Sequence, residues 1–309
     1  MKIVFAGTPV FAVPSLQSIY RAGYVIAGVL TQPDKPQGRK GILTPPPVKK
    51  AAEELGLFVL QPARLREDFS ALKALGADCM VTCAYGQILT QEVLDLFPKG
   101  VWNIHASLLP AYRGAAPIPR VIIDGCLVTG ITVMKTELGL DTGDVLLKTE
   151  TPISDMDTSF SLAERLSAIG AELILEALEK IESGNLNLTK QGEGGFTCKK
   201  VQRTQVDFSR PAREVSCLIR GLSPSPLAFG VAEGNVLNFH FAEAVDCDSA
   251  APFGTVICAS PKKGLVVKCG EGAVRLTKLQ PAGGKLMGDK DFCNGRKLVE
   301  GMRFDQPVL

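Results

Sequence analysis

The chain has 309 residues, of which 46% are hydrophobic and 21% are charged. This ordinary globular balance excludes a largely disordered or fibrous protein, and the length favours two domains. The sequence contains no run approaching the ~18 apolar residues of a membrane-spanning helix, and its start is typical of a buried strand rather than a signal or transit peptide. The nine cysteines form no Cys-x-x-Cys pair and there are only two histidines, so we expect a cytoplasmic protein without a metal site.

Positive charge is unevenly distributed along the chain. The net charge is +2, but residues 1–189 hold 17 Lys and Arg against 20 Asp and Glu, whereas residues 190–309 hold 17 against 12. Within the first part, the segment 31–50 alone carries five cations and one acid. This placement indicates a polyanionic partner, although solvated basic faces without partners are also common.

In the first half of the chain, apolar runs of strand length alternate with segments of helical period. Predicted strands cover Ile3–Ala6, Tyr24–Leu30, Phe58–Leu60, Asp78–Ala84, Val101–His105 and Ile131–Lys135. Predicted helices cover Val13–Ala22, Val48–Leu55, Asp68–Leu75 and Asp157–Glu182. Because helices alternate with strands that are apolar on both faces, we predict a Rossmann-like, doubly wound parallel sheet. The turn after the first strand lacks the G-x-G-x-x-G pattern, which argues against NAD chemistry.

The pattern changes after Gly184. Residues 185–210 are polar and rich in glycine, which is typical of a linker, and a short helix is predicted over Ala212–Arg220. Beyond it, short alternating runs separated by glycine and proline predict a small all-β barrel or sandwich. We therefore divide the chain into an α/β domain over 1–189, a linker over 190–205 and a β domain over 206–309.

The densest cluster of chemical groups lies at the end of the predicted strand Val101–His105. Asn103 and His105 are two residues apart, so on a strand they project from the same face. They also lie at a carboxyl end, where open α/β sheets place their ligands. An imidazole can act as a general base that accepts the proton of a nucleophile, and an amide N–H can stabilise the negatively charged oxygen of a tetrahedral intermediate. The alternative is that both side chains only satisfy backbone groups at a strand end.

A second cluster is the turn Leu138–Asp144, in which two glycines flank Asp141. A carboxylate in this turn can be aimed at the same cleft, where it would orient His105 and stabilise the protonated ring. The alternative is that Asp141 is only a turn residue.

These motifs carry a resemblance to a known family. Asn-x-His-x-Ser-Leu-Leu-Pro, followed 36 residues after the histidine by Asp in Gly-Leu-Asp-Thr-Gly, resembles the folate-dependent formyltransferase superfamily. Matching segments run nearly end to end and include Phe-Ala-Gly-Thr-Pro at 5–9 and Arg-Gly-Ala-Ala-Pro at 113–117. Thr-Gln-Pro-Asp at 31–34 and Leu-Gln-Pro-Ala-Gly at 279–283 point to the tRNA-acting branch.

The resemblance implies transfer of a formyl group from 10-formyltetrahydrofolate to the α-amino group of methionine esterified to initiator tRNA, without a metal. It implies that Asn103, His105 and Asp141 are the catalytic residues. It also implies that the second domain is an OB-type barrel that binds tRNA. We expect a bacterial-type cytoplasmic monomer that does not bind a membrane.

The resemblance also assigns binding residues. Its folate-binding segment falls on Ser107, Leu108, Leu109 and Pro110. Arg39 falls on the position that reaches the acceptor end of the tRNA, and the neighbouring Lys40 lies with it among glycines. A cationic tip of this kind can order on a phosphate backbone.

Two other functions stay open at this stage. A formyltransferase that acts on an amino sugar or another small amine would share Asn103, His105 and Asp141, but it would have little use for Arg39 and a cationic second domain. A non-catalytic tRNA- or folate-binding protein belongs to a different class, and the three intact catalytic positions argue against it. A formylation assay with charged initiator tRNA distinguishes these two functions from formylation of the tRNA.

Overall fold

The computed structural model describes residues 1–38, 41–295 and 298–307. The chain divides into two compact units, each built from segments that are not continuous in the sequence. The first unit contains Met1–Gly114, Thr129–Thr151 and Ala163–Thr197. The second contains Ala115–Val128, Pro152–Leu162 and Cys198–Leu309.

Among the described residues, ten strands precede residue 153. In chain order they are β1 (Lys2–Gly7), β2 (Val25–Leu30), β3 (Lys35–Gln37), β4 (Ile42–Thr44), β5 (Val59–Leu60), β6 (Cys79–Cys83), β7 (Val101–His105), β8 (Arg113–Gly114), β9 (Val128–Lys135) and β10 (Val145–Pro152). Seven of them form one sheet in the order β10-β9-β7-β6-β1-β2-β5. The strands β5, β2, β1, β6 and β7 are parallel, and β9 is antiparallel to β7. The predicted Rossmann-like parallel sheet is confirmed.

In the described part of the chain, six α-helices accompany these strands or follow them directly. They are α1 (Val13–Arg21), α2 (Pro47–Glu54), α3 (Ser70–Ala74), α4 (Gln91–Leu94), α5 (Pro117–Ile123) and α6 (Ser159–Ser183). A short 3₁₀ helix, Val10–Ala12, precedes α1. In α3 the helix begins two residues later than predicted, because the Asp68 carboxylate accepts the Ser70 N–H in a turn before it. No helix in the described ranges is long and apolar enough to cross a membrane.

The long helix α6 supports the strand that carries the candidate site. Its apolar residues recur at helical spacing and are buried: Leu166, Ile174, Ala177, Leu178 and Ile181. At Gly170 a Cβ atom would lie 3.0 Å from the Ile104 side chain. Glycine at this position therefore lets the helix backbone approach β7 closely.

The second unit is built around a largely antiparallel sheet, in which one edge strand is parallel to its neighbour. Its strands and those of the segment leading to it are β11 (Thr197–Cys198), β12 (Thr204–Gln205), β13 (Ala228–Ala232), β14 (Asn235–Val245), β15 (Val256–Ser260), β16 (Gly264–Lys268), β17 (Ala273–Pro281) and β18 (Met287–Gly288). The helices are α7 (Ala212–Gly221) and α8 (Asp289–Asn294).

This second sheet has the order β12-β13-β14-β17-β16-β15, with β18 paired to β17. The rings of Phe208, Phe239 and Phe304 pack together in its core, with centroids 5.2–6.2 Å apart. The prediction of a separate C-terminal β-sheet domain is confirmed. Within the described residues, no strand pairing closes this sheet into a barrel.

Candidate active site

His105 is the last residue of β7, and only 6% of its surface is exposed. Its Nε2 lies 2.9 Å from the carbonyl oxygen of Tyr112. Because a carbonyl oxygen can only accept, Nε2 carries the proton and Nδ1 carries the lone pair of the neutral ring. Nδ1 in turn lies 3.7 Å from Oδ2 of Asp141. The atom that can take up a proton therefore faces a carboxylate that stabilises the resulting imidazolium.

Asn103 lies two residues before His105 on β7 and is partly exposed. Its Oδ1 accepts a hydrogen bond of 2.9 Å from the Thr82 hydroxyl, and Thr82 is its register partner on the neighbouring strand β6. The hydroxyl fixes the orientation of the carboxamide, so that Nδ2 is the atom available to donate. Sequence reasoning missed Thr82, although it lies in a predicted strand, because the sequence does not give the register between two strands.

Asp141 reaches His105 from the loop between β9 and β10. Its Oδ2 accepts the Gly114 N–H at 2.7 Å, and its φ of 52° lies in the left-handed region. The loop is tight at Gly143, where a Cβ atom would lie 1.9 Å from the Lys135 carbonyl oxygen. The structure thus brings Asp141 together with His105, as the sequence predicts.

A short segment that sequence reasoning did not single out joins the two catalytic candidates. The Tyr112 carbonyl accepts from His105, and two residues later the Gly114 N–H donates to Asp141. Tyr112 has a φ of 59°, which turns the backbone so that both groups face the site. The spacing of Asn103, His105 and Asp141 gives no signal of this role.

The segment predicted to bind folate forms a turn directly after β7. The Ser107 side chain is fully buried and donates to a backbone carbonyl at 2.7 Å. Leu109 is also buried, and its N–H donates to the Thr132 hydroxyl at 3.2 Å. Leu108 and Pro110 are partly exposed. Leu108 and Pro110 are therefore the residues of this segment whose side chains are accessible to a ligand.

The predicted tRNA-binding residues Arg39 and Lys40 lie outside the described residues. They are placed by the sequence between β3 and β4, which form an antiparallel hairpin. At the base of this hairpin, the Asp34 carboxylate accepts hydrogen bonds from Gln61 at 2.8 Å and from Lys49 at 2.9 Å. The pKa of Asp34 is lowered mainly by the hydrogen bond from Gln61. The hydrogen bond and the positive charge of Lys49 lower it further. The base of the hairpin is thus fixed to α2, which carries Lys49, by a charged contact.

Among the described residues, neither the other histidine nor the acidic and cysteine side chains form a metal site. His240 lies on β14, as the alternating pattern predicts, and its Nε2 is 3.3 Å from the Gln280 side-chain oxygen. Throughout residues 1–38, 41–295 and 298–307, no group of three or more His, Cys, Asp and Glu is placed to hold a metal ion.

The fold and the site define a class of enzyme. Residues 1–178 match the family described as formyl transferase, and residues 199–297 match the formyl transferase C-terminal domain. The chain therefore belongs to the formyl transferase family, and the resemblance seen in the sequence is confirmed.

Relatives that match over nearly their full length include methionyl-tRNA formyltransferases. The chain is 42% identical to that of Janthinobacterium sp. (strain Marseille), over 98% of this chain and 100% of the relative. It is 45% identical to that of Neisseria meningitidis serogroup C, again over 98% and 100%.

Solved structures of lower identity share the fold. An N-formyltransferase from Helicobacter canadensis, in complex with folinic acid and dTDP-3-aminofucose, has a TM-score of 0.68 at 17% identity and covers 89% of this chain and 99% of its own. HypX from Aquifex aeolicus, in complex with tetrahydrofolic acid, has a TM-score of 0.65 at 17% identity. The match covers 99% of this chain and 51% of the HypX chain.

Proposed function

We propose that this protein transfers the formyl group of 10-formyltetrahydrofolate to the α-amino group of methionine esterified to initiator tRNA. The observation that carries the proposal is the approach of His105 and Asp141 to 3.7 Å, with Asn103 two residues before His105 on the same strand, in a chain 42–45% identical to methionyl-tRNA formyltransferases. The amine nitrogen forms a bond to the formyl carbon, and the bond from that carbon to N10 of the folate breaks. The amine loses a proton and N10 gains one.

The site residues can divide this work between them. The amine attacks only when it is neutral, so a base must accept its proton as the C–N bond forms, and Nδ1 of His105 has the free lone pair. Asp141 then faces the imidazolium across 3.7 Å. The formyl oxygen gains negative charge as its carbon becomes tetrahedral. A donor such as Nδ2 of Asn103 stabilises such an oxygen by ~3 kcal/mol.

The folate is proposed to lie against the turn after β7. Leu108 and Pro110 support this placement, because they are the partly exposed side chains of the segment. Folate-derived ligands are also present in solved structures of the same fold, folinic acid in one and tetrahydrofolic acid in another.

The tRNA is proposed to bind the cationic hairpin and the second unit. Residues 190–309 hold 17 Lys and Arg against 12 Asp and Glu, which favours a phosphate backbone. We further propose an OB-type fold for the second unit, which the antiparallel five-strand path β13-β14-β17-β16-β15 supports. Arg39 and Lys40 are proposed to contact the acceptor end.

Purified protein, 10-formyltetrahydrofolate and charged initiator tRNA provide the direct test. We expect formylmethionyl-tRNA to form and to be absent when the folate is omitted. A dTDP-linked amino sugar is the competing substrate, because a structural neighbour contains one. Formylation of the sugar without formylation of the tRNA would replace the proposed function with the sugar alternative.

Replacing Asn103 with alanine is expected to lower kcat by about 10²-fold, because one donor to the developing oxyanion is lost. The KM for charged tRNA should stay within threefold, since the donor acts on the formyl group. Steady-state kinetics with both substrates measure the two constants. The matched control is Asn187→Ala at an exposed position, which should retain full activity. An unchanged kcat in the Asn103 variant would contradict its role.

Replacing Arg39 with alanine is expected to raise the KM for charged tRNA about tenfold while leaving folate affinity unchanged. Loss of one phosphate contact should also reduce the slope of log affinity against log salt by about one. Tracking tRNA binding across a salt series gives this slope. The control is Arg64→Ala, which removes an exposed cation paired with Glu67. Equal loss of activity with a small amine substrate would show that Arg39 acts elsewhere.

A further inference from the structure

Gln191 lies in the polar segment predicted to be a linker, yet inside the first unit its carboxamide makes four hydrogen bonds to backbone carbonyls and a guanidinium, and its Nε2 also lies 3.9 Å from the Met134 sulfur. Nε2 donates to the backbone carbonyl oxygens of Asp141 and Gly143, each at 2.8 Å. Oε1 accepts from Nε and Nη2 of Arg113, at 3.0 and 2.8 Å. Every donor and acceptor position of the side chain is thereby used.

Only a neutral carboxamide of this length fits these partners. The guanidinium of Arg113 can only donate and the two carbonyls can only accept, so the positions of oxygen and nitrogen in Gln191 are fixed by chemistry. A glutamate would lose both donors and place negative charge against two carbonyl oxygens. A methionine would match the length but make none of the four bonds.

The carboxamide connects the two pieces of backbone that hold the catalytic pair. On one side it binds the backbone carbonyl of Asp141, whose φ of 52° lies in the left-handed region that few residues other than glycine, asparagine and aspartate adopt. On the other side it binds Arg113, which lies between the Tyr112 carbonyl that holds His105 and the Gly114 N–H that holds the Asp141 carboxylate. This side chain therefore ties the Asp141 loop to the Tyr112–Gly114 segment, which contacts both His105 and the Asp141 carboxylate.

We propose that Gln191 is a positioning residue for formyl transfer. It holds the Asp141 loop so that the carboxylate faces Nδ1 of His105, and it acts through Asp141 rather than on a substrate. This inference rests on the proposed function, since it concerns the same reaction. It extends the catalytic apparatus to a residue 50 positions beyond Asp141 in the sequence.

The first test is the kinetics of Gln191→Met and Gln191→Glu. We expect kcat for formylation of charged tRNA to fall about 10²-fold in the methionine variant, the loss that a misplacement of about 1 Å produces. The KM values for tRNA and folate should stay within threefold. Gln191→Glu keeps the acceptors for Arg113 but lacks both donors, so its kcat should fall at least as far.

The second test is a double-mutant cycle with Asp141→Asn. If Gln191 acts through Asp141, adding Gln191→Met to Asp141→Asn should lower kcat by less than about threefold, because the group it positions is already disabled. Two effects that multiply would overturn the inference and assign Gln191 an independent or merely structural role.

A matched control and a direct measure of the loop complete the experiment. Gln202→Met makes the same change at an exposed glutamine of the same segment and should keep the wild-type kcat. In Gln191→Met, amide hydrogen exchange of residues 137–144 should be at least tenfold faster, with an unchanged urea midpoint of unfolding. If the methionine variant is too unstable to assay, Gln191→Glu supplies the same comparison.

The outcomes separate this inference from the proposed function. A wild-type chain that forms no formylmethionyl-tRNA overturns the proposed function and this inference with it. An active wild-type chain with a normal kcat in both Gln191 variants overturns the inference alone.

Discussion

Replacing His105 with alanine is expected to lower kcat for formyl transfer by about 10³-fold. The Nδ1 atom is the base available to accept the proton of the attacking amine, and general-base catalysis contributes up to about 10⁴-fold. The ring is 6% exposed and is held by the Tyr112 carbonyl, so the orientation of Nδ1 is fixed. Single-turnover kinetics with charged tRNA and 10-formyltetrahydrofolate measure the chemical step directly.

The chain offers a matched control for this variant, because it contains only two histidines. His240→Ala removes the other imidazole, which lies on β14 and contacts Gln280. This variant should keep kcat within threefold of wild type. Affinity for tRNA should be unchanged in His105→Ala, and wild-type turnover in that variant would remove His105 from the mechanism.

Replacing Asp141 with asparagine is expected to lower kcat by roughly 10³-fold, because the imidazolium that forms at His105 loses its counter-charge. The change is nearly isosteric, and asparagine tolerates the left-handed φ of 52° at this position. The amide oxygen can still accept the Gly114 N–H that now bonds to the carboxylate at 2.7 Å. The loss therefore reports on the charge rather than on the fold, and rapid-quench measurement of formyl transfer gives its size.

Asp144→Asn is the control for this charge. Asp144 lies in the same loop, and the bond that it supplies to Lys135 comes from its backbone carbonyl. Removing its side-chain charge should leave kcat within threefold of wild type. A comparable loss in both variants would show that the net charge of the loop matters, and not the carboxylate facing His105.

Secondary structure was predictable where a segment carried a strong pattern of its own. The parallel strands β1, β6 and β7 are apolar on both faces, and this pattern identifies them. β10 was missed because its second half, Lys148–Pro152, consists of charged residues, threonines and a proline rather than an apolar run, and it lies at the edge of the sheet. The hairpin of β3 and β4 was missed because each strand has only three residues. In addition, β3 contains Pro36, and proline is rare within strands.

The sequence by itself determined the class of fold and the family, and it predicted the catalytic residue types, because these depend on local periodicity and on short motifs. Only the tertiary structure decided that Nδ1 rather than Nε2 of His105 faces Asp141, that Thr82 orients Asn103, and that Gln191 holds the Asp141 loop. Each of these contacts joins segments 21 to 50 residues apart in the chain. Strand register and loop conformation set such contacts, and both are fixed by packing of the whole unit rather than by any one segment.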